Sequence, residues 1–496
     1  MQFLDHQIAG IQRTVDNGGK QFLNYKTGTG KTITSLGTFK YYHDKNPMER
    51  MFVICPINLI EGAWIKEIEK VNKENGWNLN WYNIHNETAM IKGREPDIYI
   101  VNYEYMMREE KFQKIITLLQ SHLLRQGKWF CAVDESSCMK NPDAKTTERM
   151  IGTWENKRYV NGIKHYCEHR QLLSATPAPN KEWEWWAQMA FLDDRVLGNN
   201  FYKFRNTYFN LVRNGQAAPG AFLNKAQLRE LQRTGFKYEI IKDAWMQALE
   251  RMKPFVHVVD SLAGMPEEID EFTIIEMSPE HRKIYNSMKE EYLAEIKQEI
   301  AGQELSSYAV ATMVLTKLLR LRQITSGFVI DDQEQAISII KTNPKVEALL
   351  ARIEQYGRDQ VIVWCQFHWE IDRMVQLLNE DVGGGVSQMH GRVSVHDRQP
   401  QCEAFISGKH RFMVAHPDSM AHGFTFINCH YQEFFSMSYS HENYIQCRGR
   451  TARHGQQNPC VYNHIFCKNT IDEDMYRIVT GKATAAEVAE RYLKGE

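Results

Sequence analysis

Two blocks of this sequence alternate short apolar runs with helix-length stretches, and that alternation constrains the fold more than any other feature. In the first block the runs are QFLNY (21–25), MFVICP (51–56), DIYIVNY (97–103), WFCAVDE (129–135) and RQLLSATP (170–177), with helical stretches such as 32–42 and 61–71 between them. The second block repeats the rhythm in QVIVWC (360–365), GVSQMH (385–390), RFMVAH (411–416) and CVYNHIF (460–466). Runs apolar at successive positions read as strands buried on both faces, and the helices between them act as crossovers. The pattern predicts an α/β fold of two parallel-sheet lobes in tandem, at residues 1–195 and 326–475. A helical insertion and connector at 196–325 separates them, and a helical tail at 476–496 follows.

The insertion stands apart in charge. Between Phe201 and Lys253 ten basic residues face four acidic ones, Glu230, Glu239, Asp243 and Glu250. Such a surplus fits a solvated helix face and a phosphate-binding face equally well. The whole chain, 496 residues with 43% hydrophobic content, suits a globular protein of roughly three domains. Its net charge of -1 supplies no global basic field, so a nucleic-acid partner has to be held by local clusters. Ten cysteines form no C-x-x-C pair, and His165, Cys167 and His169 match no structural zinc spacing, so reduced thiols are expected. MQFLDHQIAG lacks the basic start and apolar run of a signal peptide, and no apolar stretch of roughly 18 residues occurs. The expectation is a cytoplasmic chain without a membrane partner.

Asn24 to Thr32, NYKTGTGKT, lies where a strand hands over to a helix, the setting in which a glycine-rich loop turns backbone N–H groups toward phosphate. Gly28 and Gly30 allow the turn, Lys31 can reach the β- and γ-phosphates, and the Thr32 hydroxyl can ligate Mg2+. The loop departs from G-x-x-x-x-G-K-[ST] at its first position, which Tyr25 holds. AVDESS adds Asp134 and Glu135 at the end of an apolar strand of the same lobe. One carboxylate there can hold Mg2+ through water, while the other orients or deprotonates the attacking water. Loop and acidic pair together predict ATP hydrolysis with Mg2+. QCRGRTARHGQ (446–456) places Arg450 and Arg453 three residues apart, on one face if helical. They can stabilise a transferring phosphoryl group from the other lobe, form a surface salt-bridge helix, or grip a nucleic-acid backbone. The residues alone leave all three open.

In order and wording these motifs resemble the Swi/Snf-like branch of superfamily-two helicases, the DNA translocase ATPases, along nearly the whole chain. FLDHQIAGI resembles the adenine-recognising opening motif, with Gln7 as its glutamine, and YKTGTGKT the superfamily's relaxed phosphate loop, whose first glycine is often absent. DESSCMKN is similar to the Asp-Glu box followed by Lys140 and Asn141, with Ser136-Ser137 where Ala-His is usual. LLSATPAPN resembles the coupling motif, centred on Ser174, Ala175 and Thr176. KPFVHVVDSLAGMPEE and IIEMSPEHRKIY resemble the connector between lobes, and LLRLRQITSG the start of the second lobe. VIVWCQF, MHGRVSVHDR and DSMAHGFTF resemble second-lobe motifs, the last with Ala421-His422-Gly423 in place of Ala-Gly-Gly. YIQCRGRTARHGQ resembles the arginine-finger motif in full.

The resemblance implies two RecA-like lobes with ATP between them. Gln7, Thr27, Gly28, Thr29, Gly30, Lys31, Thr32 and Gly423 would bind the nucleotide, and Thr32 and Asp134 would hold Mg2+. Lys31, Asp134, Glu135, Arg450 and Arg453 would act in catalysis, and Ser174, Ala175, Thr176 and Gln446 in coupling. DNA, double-stranded or branched, would lie over Pro56, Asn58, Asn102, Tyr103, Lys140, Gln366, His390 and Gly391, held mainly by its phosphates. The implied activity is ATP-dependent translocation on duplex DNA that remodels branches by fork regression or branch migration. A strand-separating DNA or RNA helicase, or an ATP-gated DNA-binding subunit for a partner nuclease, are the competing readings. A monomer is the default, and the bare set of motor motifs points to a phage or bacterial member. Trp183 and Trp186, three apart, fit helix packing better than a base-stacking platform.

Overall fold

A computed structural model describes residues 2–155, 158–178, 181–213, 216–217, 237–260, 264–300, 317–331, 333–420 and 424–483, with Val488 and Arg491. The chain divides into two compact units, Met1–Asn210 with Glu239–Ala263, and Leu211–Tyr238 with Gly264–Glu496.

The first unit is built on an eight-stranded sheet. Its strands in chain order are β1 (Lys20–Tyr25), β2 (Glu49–Cys55), β3 (Trp81–Asn83), β4 (Thr88–Ala89), β5 (Ile98–Asn102), β6 (Lys128–Asp134), β7 (His169–Ser174) and β8 (Val256–Val259). They lie in the order β8-β1-β7-β6-β2-β5-β3-β4. Every pairing is parallel except that of β3 with β4. The five apolar runs of the first block form β1, β2, β5, β6 and β7, and the reason is burial on both faces. Met51 to Cys55 and Phe130 to Val133 have no exposed surface at all. Helices α1 (Asp5–Asp16) and α2 (Lys31–Lys45) flank β1 in sequence, and α2 adds Leu36 and Phe39 to the core.

The second unit holds a six-stranded, wholly parallel sheet: β9 (Glu268–Ile275), β10 (Val361–Trp364), β11 (Val386–Met389), β12 (Phe412–Ala415), β13 (Tyr431–Phe434) and β14 (Cys460–Cys467). The order is β9-β14-β13-β10-β12-β11.

The segment read as a helical insertion does contain helices, at Phe201–Tyr208, Lys242–Met252 and Pro279–Ile300, but it also supplies β8 and β9, an edge strand to each sheet. Trp186 is a packing residue: it is buried against Phe201, and its indole N–H donates to Gly198 O at 3.1 Å.

Candidate functional site

Three neighbouring strands of the first sheet deliver the candidate chemistry to one edge. β1 ends at Tyr25, β7 at Ser174 and β6 at Asp134, and the pairings of Asn24 with Ser174 and of Leu173 with Asp134 hold those ends level. Parallel sheets open their ligand crevice at the carboxyl ends of the strands, and this row occupies that position.

In the phosphate loop Gly28 and Gly30 have φ of 84° and 85°, the left-handed region that a side chain resists. Gly30 is doubly required, because a methyl there would lie 2.2 Å from Gln7 Nε2. It is also the N-cap of α2, so the helix's unpaired first-turn N–H groups face the loop. Thr29 Oγ1 closes the loop by donating to Lys26 O at 2.7 Å, and Lys31 Nζ donates to Tyr25 O at 3.0 Å. Thr27 and Thr32 are half-buried beside them. Helix α1 is tied to this loop. Leu4 N donates to Gln7 Oε1 at 2.9 Å, fixing the amide against Gly30, and His6 Nε2 donates to Thr29 O at 2.8 Å.

The acidic pair is held from three directions. Trp64 Nε1 donates to Asp134 Oδ2 at 3.0 Å, Glu135 N to Asp134 Oδ1 at 3.0 Å, and the Tyr103 hydroxyl to Asp134 O at 2.6 Å. Burial, and then the adjacent Glu135 charge, push the Asp134 carboxyl up to about 6 against the pull of Lys31. A carboxylate desolvated in this way is stabilised by a cation. One buried carboxylate, a lysine and a threonine hydroxyl at a helix start form a donor set that fits hydrated Mg2+ and a triphosphate. Glu135 itself has φ of 51°, a left-handed turn that ends β6 between the two acids at a cost of roughly 1–2 kcal/mol. At the end of β7, Ser174 Oγ accepts from Thr176 N at 3.1 Å, Ala175 lies between them, and Thr176 Oγ1 is buried with no partner among the described residues.

The residues assigned to nucleic acid are distributed over both units. In the first, Pro56 begins the turn after β2, and the side chain of Asn58 lies outside those described. Asn102 is buried, donating to Glu104 Oε2 at 2.6 Å, with its Oδ1 unpartnered among the described residues. Lys140 follows the turn Ser136–Met139 and is half-buried. Tyr103 is buried, and its hydroxyl donates to Asp134 O, so it supports the acidic pair from within. In the second unit Gln366, His390 and Gly391 follow β10 and β11. Gln366 Nε2 donates to His416 Nε2 at 3.0 Å. His416, which follows β12 as His390 follows β11, was not among the expected residues, although both runs close on histidine.

The two arginines follow a helix rather than lie in one. The helix His441–Arg448 stops before both, so they share no helical face. Arg450 is buried and donates to Phe424 O at 2.8 Å and Gln446 O at 3.1 Å. Arg453 is half-buried and donates to Gly449 O at 2.8 Å. The Gln446 carboxamide is buried without a partner among the described residues, and Gly423 lies outside them. Among the described residues no group of His, Cys, Asp and Glu could hold a metal by itself, and His169 Nδ1 instead pairs with the buried Glu49 at 2.5 Å. No described helix is long and apolar enough to cross a membrane.

Comparison with known proteins matches this arrangement to described families. The family model of the SNF2-related domain matches residues 13–327, and that of the helicase conserved C-terminal domain matches residues 344–455. Putative protein p41 of Acyrthosiphon pisum secondary endosymbiont phage 1 is 23% identical over 90% of this chain and 89% of its own length. Protein CHROMATIN REMODELING 5 of Arabidopsis thaliana is 22% identical over 98% of this chain but only 26% of its own. The uncharacterized ATP-dependent helicase MG018 of Mycoplasma genitalium is 23% identical over 96% of this chain and 40% of its own. The chain thus spans most of the phage relative and less than half of the other two. The solved Sulfolobus solfataricus SWI2/SNF2 ATPase core in complex with dsDNA aligns with 99% of this chain and 97% of its own at 18% identity and a TM-score of 0.40.

Proposed function

The chain belongs to the SNF2-related family, and on that premise we propose that it is an ATP-driven motor that tracks along double-stranded DNA and remodels its branched forms. With an SNF2-related domain and a helicase conserved C-terminal domain in one chain, it is a helicase-type ATPase. The observation that carries the ATP-driven part of this reading is the level row of strand ends in the first unit, which groups the Lys31 loop, Ser174 to Thr176 and the Asp134–Glu135 pair, and the DNA part rests on the family.

In this reading Lys31 and the loop N–H groups hold the β- and γ-phosphate oxygens, and Gln7, seated against Gly30, reads the adenine. Bound Mg2+ supplies charge neutralisation on the phosphate oxygens. Asp134, fixed by Trp64 and Tyr103, would hold the metal together with Thr32, and Glu135 would orient the attacking water and take its proton. Arg453 is assigned to the transferring phosphoryl group. Arg450, turned onto its own unit's carbonyls, is assigned to shaping that turn. Asn102, Lys140, Gln366, His390 and Gly391 are assigned to DNA phosphates, with His416 added to them.

Steady-state ATP hydrolysis without nucleic acid and with duplex DNA, single-stranded DNA, a forked junction and duplex RNA tests the proposal. Stimulation by duplex or junction DNA that fails in Lys31→Ala supports it. Stimulation by single strands or RNA alone turns the reading to a strand-separating helicase. A flat response in folded protein points to a motor subunit that needs a partner.

A further inference from the structure

Tyr25 stands where the full phosphate-loop pattern has glycine, and the structure gives its side chain specific work. The ring is fully buried behind the loop. Its hydroxyl donates to His6 O at 3.2 Å and lies 2.9 Å from His257 Nδ1. With the hydroxyl proton on the carbonyl, the second bond runs from the imidazole Nδ1–H to the tyrosine oxygen. The two rings meet edge to face, with centroids 5.3 Å apart.

Two elements far apart in sequence, α1 and β8, meet at this oxygen, and both also touch the loop. His6 precedes Gln7 in α1, and its own side chain donates to Thr29 O in the loop. His257 lies in β8, the edge strand from which the chain runs on to β9, and Lys26 N of the loop donates to Val259 O of the same strand at 2.8 Å. The space for the hydroxyl is made by Gly10, inside α1, where a methyl would lie 2.1 Å from Tyr25 Oη and 3.3 Å from His257 Nδ1. A glycine in a helix interior weakens the helix, and the approach of Tyr25 is the reason for one here.

We propose that Tyr25 is a positioning residue that locks α1, the phosphate loop and β8 into one hydrogen-bonded block, so that nucleotide occupancy is felt by the strand leading out of the first unit. The inference rests on the nucleotide-binding reading above. A glycine at this position would remove the bonds that the Tyr25 hydroxyl makes to His6 in α1 and to His257 in β8.

The full chain carrying Tyr25→Phe, His257→Leu or both is titrated with a fluorescent ADP analogue, with and without duplex DNA, and its melting temperature is recorded. Gly10→Ala serves as an independent steric probe, and Lys31→Ala as the control for the site itself. Each single variant is expected to weaken nucleotide binding about 3- to 10-fold, as loss of one such bond implies. The double variant is expected to be no weaker than the singles, because the two groups act as a unit. The DNA-stimulated rate is expected to fall more than the basal rate. Multiplying effects in the double variant, or a lowered melting temperature with unchanged affinity and stimulation, overturns the proposal. If wild type and Lys31→Ala bind alike, the nucleotide reading itself has failed and the proposal falls with it.

Discussion

Trp64 Nε1 donates to Asp134 Oδ2 across 3.0 Å, joining two residues 70 positions apart in sequence. Both are buried, so the indole N–H meets a carboxylate that water does not solvate. A donor to a charged acceptor contributes roughly 1.5–3 kcal/mol. Trp64→Phe keeps an aromatic ring in place but removes the donor, which leaves the carboxylate short of a partner and pushes its pKa higher still. Turnover at neutral pH is expected to need roughly tenfold more Mg2+, read from a metal titration of ATP hydrolysis. An unchanged Mg2+ requirement would show that the Trp64 bond is merely structural.

On the proposed roles, variants of Glu135 and Lys31 should separate chemistry from binding. Glu135→Gln keeps the size of the side chain but cannot accept a proton, so hydrolysis should fall on the order of 10²–10⁴-fold, the usual worth of a general base. Nucleotide affinity should stay near that of wild type. In Lys31→Ala both should be lost. Equilibrium binding of a labelled nucleotide beside single-turnover hydrolysis distinguishes the two, and hydrolysis that survives in Glu135→Gln would reassign the base.

The two arginines should fail differently. Arg450→Ala strands the Phe424 and Gln446 carbonyls in a buried setting, at about 1–3 kcal/mol each, and is expected to lower the melting temperature by several degrees. Arg453→Ala removes a half-buried side chain that donates to Gly449 O. It should leave melting within a degree or two while turnover drops on the order of 10³-fold, as for an arginine that stabilises phosphoryl charge. Calorimetry and ATPase assays on both variants check the division, and the reverse pattern would exchange the roles.

Burial lifts Glu433, in the middle strand β13, up to about 7, even though Asn463 Nδ2 at 2.6 Å and the Tyr356 hydroxyl at 2.5 Å both donate to it. A folded-state pKa above the unfolded one means stability that is full below about 4.5 and is lost as pH rises through 7. The loss amounts to about 3–4 kcal/mol. Melting of the wild type and Glu433→Gln between pH 4.5 and 8 should show this slope removed in the variant. Parallel curves would place the titration elsewhere.

All nine expected runs form strands of the two sheets, and most are apolar at successive positions. β13 escaped notice because its sequence, YQEF, puts Gln432 and Glu433 in the interior. Their polar atoms are satisfied by partners distant in sequence, such as Trp364 Nε1, which donates to Gln432 at 2.8 Å. β8 and β9 each have a neighbour on one side only and keep half-exposed positions, so burial on both faces does not mark them. The loop and the acidic pair were legible because their chemistry is local in sequence. The inward turn of Tyr103 was not, since it depends on Asp134, a residue of another strand. The end of the helix before Arg450 does have a local signal, Gly449, which caps it directly after Arg448.

β1, the strand that carries the phosphate loop, sits between β7 and β8, with Phe22 paired to Leu172 on one side and to Val256 on the other. A growing polypeptide therefore emerges from the ribosome with the loop's own strand open along one edge until Val259 has followed it out. Contacts of such long sequence separation form slowly, and an unpaired strand edge recruits other chains meanwhile. A fragment cut before β8, though it contains the loop and both acids, would be an aggregation-prone intermediate, and competence to bind nucleotide would arise late in synthesis.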